Sequence, residues 1–163
     1  MGMDGILCTL SAKRLALLQE DPEIFEELVE SRHESEIPGL LDLGKTWDAL
    51  DFLLSDRGRE ELLGDAILAR KGQKLRAKGA HGPPRVLAPA RVRQISAALA
   101  KLPPDLLKTR YPSLQGQELH GKYGQDPATQ ARELTQLETM LRAVVDLYAR
   151  AAIEGHSVMS AIV

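Results

Sequence analysis

Asp48 and Asp51 are the residues of this chain whose type and spacing come closest to a catalytic pair. On a helix they stand at i and i+3, so both carboxylates project from one face. Two carboxylates so placed could divide acid and base roles or hold a hard cation. A solvated polar face opposite Trp47, Leu50 and Leu54 explains them equally well. The four histidines, His33, His81, His120 and His156, are scattered. None forms a His-x-x-His or His-x-x-x-His pair, and the chain has one cysteine, so no metal site is expected. No Gly-x-Ser-x-Gly segment supports a serine triad. Neither glycine-rich phosphate-binding pattern occurs, and no cofactor is expected. Cys8 lies in the apolar stretch Gly5 to Leu10 and reads as a buried, inert thiol rather than a nucleophile.

Charge is a second kind of chemistry here. The net charge of the 163 residues is only −2, but its distribution is divided. Residues 20 to 65 hold 15 acids and 4 bases, a net of −11; residues 66 to 125 hold 12 bases and 2 acids, a net of +10. Such asymmetry points to an interaction surface. It also arises when two segments lie side by side in the fold and neutralise one another. The basic stretch offers Lys71, Lys74, Arg76, Lys78, Arg85, Arg91 and Arg93 to phosphates. Single-strand binding adds aromatic stacking platforms, and no aromatic residue occurs between Phe52 and Tyr111. That speaks against nucleic acid as a partner.

The elements that must position these groups can be read from caps and periodicity. Gly5 to Leu10 reads as a buried strand. Ser11 caps a helix through Glu20. Asp21-Pro22 opens another, to about Glu34, with Ile24, Leu28 and Phe25 inward. Pro38-Gly39 breaks the chain, and a helix from Lys45 to Leu54 follows. Asp56-Arg57-Gly58 makes a turn before a helix from Arg59 to about Ala69. Lys71 to Pro84 has little apolar periodicity and reads as a long exposed loop, of a kind that is functional or mobile in compact domains. Arg85-Val86-Leu87 is a brief strand, and Pro89 starts a helix that Pro103-Pro104 ends. Pro104-Asp105 opens a short one to Arg110, and Tyr111 to Gln125 is loop. Asp126-Pro127 begins the longest helix, to Glu154, with Ala131, Leu134, Leu137, Leu141, Val144, Tyr148, Ala151 and Ala152 on its buried face; Gly155 stops it. Ser157 to Val163 is a strand that pairs with the first strand or near Val86. The expected fold is a mostly helical α+β domain over residues 1–163, with about six helices on a small sheet that includes both terminal strands.

No apolar run approaches the roughly 18 residues that span a bilayer. The opening ten residues carry Asp4 and no basic region, so no signal peptide is expected. With one cysteine, a reducing, cytoplasmic setting is the natural reading.

Several stretches resemble the YfbM-like family, a bacterial domain of unknown function. They are the opening Met1-Gly2-Met3-Asp4-Gly5, the segment Leu41-Asp42-Leu43-Gly44-Lys45-Thr46-Trp47 with Leu50-Asp51-Phe52-Leu53-Leu54, Gly82-Pro83-Pro84-Arg85 with Leu87-Ala88-Pro89, and Tyr148 with Ala151-Ala152 and Gly155. The chain departs from that pattern where the family often has histidines, at Asp48 and Asp51, and at His81, where a tyrosine is typical. The family's Ile-Tyr-Pro and later tryptophan are not recognisable around Leu119 to Tyr123. The resemblance implies an α+β fold and no particular activity. It also suggests an immunity-type role, because some members of this family type sit beside bacterial toxins.

Two functional expectations follow. The first is a non-enzymatic protein-binding domain that neutralises a cognate toxin, through the acidic Glu26, Glu27, Glu30, Glu34 and Glu36 or through the basic Lys71, Lys74, Arg76 and Lys78. The second is an enzyme or small-molecule binder with a pocket near Lys45, Trp47, Asp48, Asp51, His81 and Arg85, drawn from the two family-like segments.

Overall fold

The computed structural model describes residues 3–34, 36–77, 79–121, 123–124 and 126–163. Five strands form one antiparallel sheet: β1 (Gly5–Leu10), β2 (Leu40–Gly44), β3 (Gln73–Lys74), β4 (Arg85–Leu87) and β5 (Ser157–Ile162), in the order β2-β1-β5-β4-β3. The last strand therefore pairs with both expected neighbours. Met159 stands opposite Cys8 on one side and Val86 on the other.

Alternation along these strands sorts their side chains into two cores. Leu7, Leu43, Leu87 and Val158 face one side, packed under α3 (Trp47–Ser55), α4 (Glu61–Leu68), α5 (Pro89–Ala100), α6 (Leu106–Arg110) and α7 (Pro127–Glu154). Ile6, Cys8, Leu10, Val86, Met159 and Ala161 face the other, under α1 (Ala12–Glu20) and α2 (Glu23–Ser31). The result is a three-layer α+β domain, two helices on one face of the sheet and five on the other.

Local chemistry sets the helix ends. The Ser11 hydroxyl accepts from Arg14 N at 3.2 Å, and the Asp126 carboxylate accepts from Thr129 N at 3.0 Å. Both are N-cap bonds of the kind that stabilise a helix by about 1 kcal/mol. Gly155 ends α7 at φ 68°, a left-handed cap that favours glycine. Gly5 serves another purpose. A Cβ there would fall 2.4 Å from Trp47 Cβ, so its bare backbone lets α3 lie against the start of β1.

Several expectations need correction. Leu40–Gly44 is an edge strand, not merely an approach to the next helix. Its alternation, Leu41 and Leu43 to one core and Leu40 to the other, is too short to stand out from a leucine-rich run. The stretch Lys71 to Pro84 is not free loop throughout. Gln73 and Lys74 pair with Val86 and Arg85, and Leu75 is buried in the smaller core. Helix α2 ends at Ser31, short of Glu34; Phe25, Leu28 and Val29 are buried and Ile24 packs partly buried against the same core. Tyr111–Leu114 forms a 3₁₀ turn with Tyr111 buried. Ala131 is exposed at the outer end of α7.

Candidate functional site

Helix α3 carries the expected carboxylate pair, and neither carboxylate is on a solvated face. Asp48 and Asp51 are each 8% exposed. Asp48 Oδ1 accepts from Ala49 N at 2.8 Å, and its Oδ2 accepts from the backbone N–H of His120. The His120 ring lies over Trp47, centroid to centroid 5.3 Å, and Trp47 Nε1 donates to Met3 O at 3.0 Å. Asp48 thus ties the segment after the 3₁₀ turn to the start of α3. Asp51 takes a bidentate pair from Arg70, at 2.7 and 2.5 Å. Burial pushes the Asp51 carboxyl above the ordinary carboxylate range, Arg70 opposes that, and the Asp48 charge adds to it. The same carboxylate holds Arg70 more firmly charged. Arg70 also donates to Gly64 O, and Arg85 Nη1 donates to Arg70 O at 2.9 Å. A buried charge with two well-placed donors is a structural tie, because removing either partner strands the other.

The six residues of the expected pocket do not line one cavity. Asp51 opens with Phe52, Arg57, Arg70 and Gln117 onto a depression of about 460 Å³. Lys45 opens onto a different one of about 310 Å³, with Tyr123 and Glu133. Trp47 and Asp48 are engaged with Met3 and His120. His81 is exposed, with its backbone N–H on Ile162 O at 2.7 Å. Arg70 and His120 escaped the sequence reading because they lie 19 and 72 residues from the carboxylates they meet.

The divided charge resolves into cross-pairs. Four acids of the acidic segment meet four bases of the basic one: Asp51 with Arg70, Glu60 with Arg110, Glu61 with Lys71, and Asp65 with Arg91. Asp65 is the most enclosed of these acids. Arg91 reaches its Oδ2 through Nε at 3.0 Å and Nη2 at 2.6 Å, and Lys71 N donates to its Oδ1 at 3.1 Å. Segment neutralisation is therefore real for this part of the charge.

Helix α2 is the exception. Among the described residues, Glu26, Glu27, Glu30, Glu34 and Glu36 form no ion pair. Glu27, Glu30, Glu34 and Glu36 are exposed and Glu26 is half-buried. The basic stretch passes beside them. A Cβ on Gly79 would come 3.7 Å from Glu26 Cγ, and Ala77 and Ala80 pack on the core beneath α2. Lys74 and Arg76 are exposed and Lys71 is paired with Glu61; Lys78 lies outside the described residues. Cys8 behaves as expected. It is fully buried, and burial pushes its thiol up to about 11.

Among the described residues no group of three or more His, Cys, Asp or Glu is placed to hold a metal ion. No helix among them is long and apolar enough to cross a membrane.

These features define an α+β domain with a mixed helical cover, a YfbM-like domain of unknown function. The chain belongs to the family described as a domain of unknown function, DUF1877, whose model matches residues 1–161. Among solved structures it is similar to the crystal structure of a protein of unknown function, YfbM, from Escherichia coli. The two are 16% identical with a TM-score of 0.73, over 99% of this chain and 100% of that one, a likeness of fold. No curated protein matches it in sequence.

Proposed function

We propose that this domain binds another protein through the outer face of α2, and that its most specific form is an immunity-type protein that binds and neutralises a cognate toxin. The observation that carries the first part is the distribution of unpaired acid. Elsewhere in the acidic segment, Asp51, Glu60, Glu61 and Asp65 have basic partners. Among the described residues Glu26, Glu27 and Glu30 of α2, and Glu34 and Glu36 after it, form no ion pair. This arrangement costs stability. Glu26 and Glu30 stand at i and i+4 and repel one another. Glu30 also lies near the C-terminal end of a helix with no base in its last turn, where a carboxylate opposes the helix dipole. Acid kept at a cost on an exposed face suits a basic partner surface, for which it supplies fast, selective association. The immunity role rests on the family resemblance and names the kind of partner to try first.

Enzymatic chemistry near Trp47 is the weaker reading, since Asp48 and Asp51 are committed to His120 and Arg70.

The test is co-expression of the tagged domain with the product of the adjacent gene. The wild type should capture it in a stoichiometric complex that weakens as salt rises. Reversal of α2 by Glu26→Lys, Glu27→Lys and Glu30→Lys should remove the complex. Capture that survives reversal of both α2 and the Lys74–Arg76 stretch would sink the reading.

A further inference from the structure

A cleft of about 780 Å³ lies at the opposite end of the sheet from Trp47. One wall is the approach to β2, with Ile37, Pro38 and Leu40; the other is the C-terminal half of α7, with Leu147 and Arg150; the end of β1 and Ser11 floor it. Its volume falls within the range of small-molecule sites.

Charges of both signs line it. Arg14 and Arg150 line it beside Glu36 and Asp146. Asp146 and Arg150 stand at i and i+4 on α7, a spacing at which opposite charges ordinarily pair. Among the described residues none of these four forms an ion pair. Arg14 is instead held across the mouth by its Nη1, which donates to Pro38 O at 3.3 Å, leaving its other donors available. His156, also on the lining, has an Nδ1 closed to solvent and without a hydrogen bond. It lies 3.1 Å from Glu154 Oε2, near enough for a charge contact but off the line of a hydrogen bond.

We propose that this cleft binds a small zwitterion of amino-acid or dipeptide size. Its carboxylate meets Arg150 and Arg14, and its ammonium meets Asp146 and Glu36. A single anion or cation would leave one pair of charges unmatched, whereas a molecule carrying both signs satisfies the two together. The aliphatic lining of Ile37, Leu40 and Leu147 suits an apolar side chain between the charged ends. The site is separate from the α2 surface except for Glu36, so Asp146 and Arg150 test it alone.

The experiment titrates the dipeptide leucyl-leucine into the full chain and follows backbone amide shifts. Millimolar or tighter binding is expected, with shifts at Arg14, Ala143 and Leu147. N-acetyl-leucyl-leucine, leucyl-leucine amide, and the variants Arg150→Gln and Asp146→Asn should each lose about tenfold or more in affinity. Circular dichroism of the variants establishes that they remain folded. No shifts with the free dipeptide at high millimolar concentration would overturn the proposal, as would equal binding of the free and capped forms.

Discussion

On α3 and α4, Asp48, Asp51 and Asp65 are each buried and each held by donors from elsewhere in the chain: His120, Arg70, Arg91 and the Lys71 backbone. Around the cleft at the Leu10 end, Arg14, Glu36, Asp146 and Arg150 form no ion pair among the described residues. Both regions are rich in charge, yet their physics is opposite. In the first, charge has left water and is compensated residue by residue, so it serves stability and specifies the fold. In the second, and on the outer face of α2, charge stays hydrated and uncompensated, which adds little to folding and remains available to a partner. The number of charged residues says little about function; whether their partners lie inside the molecule says more.

The sharpest way to break this contrast is to unpair the most buried acid. Arg91→Leu leaves the Asp65 carboxylate enclosed without its guanidinium and should cost about 3–5 kcal/mol of folding free energy in urea denaturation. A loss below about 1 kcal/mol would mean that the Asp65 carboxylate finds another donor or water at little cost. Asp48→Ala removes the acceptor of the His120 amide and should cost about 1–3 kcal/mol. Hydrogen exchange at His120 should speed up by about the same free energy, while exchange at Tyr148 in the core follows only global stability.

Cys8 lies on β1 between the two regions and reports on the fold of every variant. Its thiol is raised to about 11 from an ordinary 9.0, so the neutral form is favoured in the folded state. The stability that this preference contributes is complete below about pH 9 and is lost as pH rises through about 11. Cys8→Ala should flatten that alkaline decline, and native wild-type protein should resist thiol reagents at pH 8 until it unfolds. In the cleft the effect on folding should be smallest. Arg150→Gln and Asp146→Asn should each change stability by less than about 0.5 kcal/mol, and a loss comparable to that of Arg91→Leu would erase the distinction between the two regions.

The parts of this fold that sequence made readable are those specified locally. β1, β5 and α7 are set by apolar runs and by caps within four residues, Ser11, Asp126 and Gly155. The divided charge also announced that the two segments could meet, and among the described residues four ion pairs join them. The parts hidden from sequence depend on partners far along the chain. β2 and β3 are edge strands whose identity rests on neighbours rather than on their own few residues. Asp48 and Asp51 looked like an exposed pair because nothing near them shows that Arg70 and His120 will cover them. The cleft draws on α1, the approach to β2, α7 and the start of β5, so no single motif could display it.

The most direct test of the account is to measure stability and partner affinity together in the triple variant Glu27→Gln, Glu30→Gln, Glu34→Gln. If α2 keeps its acid for a partner, relieving the repulsion and the unfavourable helix-end charge should raise folding stability by about 0.5–1 kcal/mol. Affinity for the captured protein should fall by tenfold or more in the same variant. A variant that loses stability and binds as tightly as the wild type would contradict the account, because the acids would then serve the fold and not an interface.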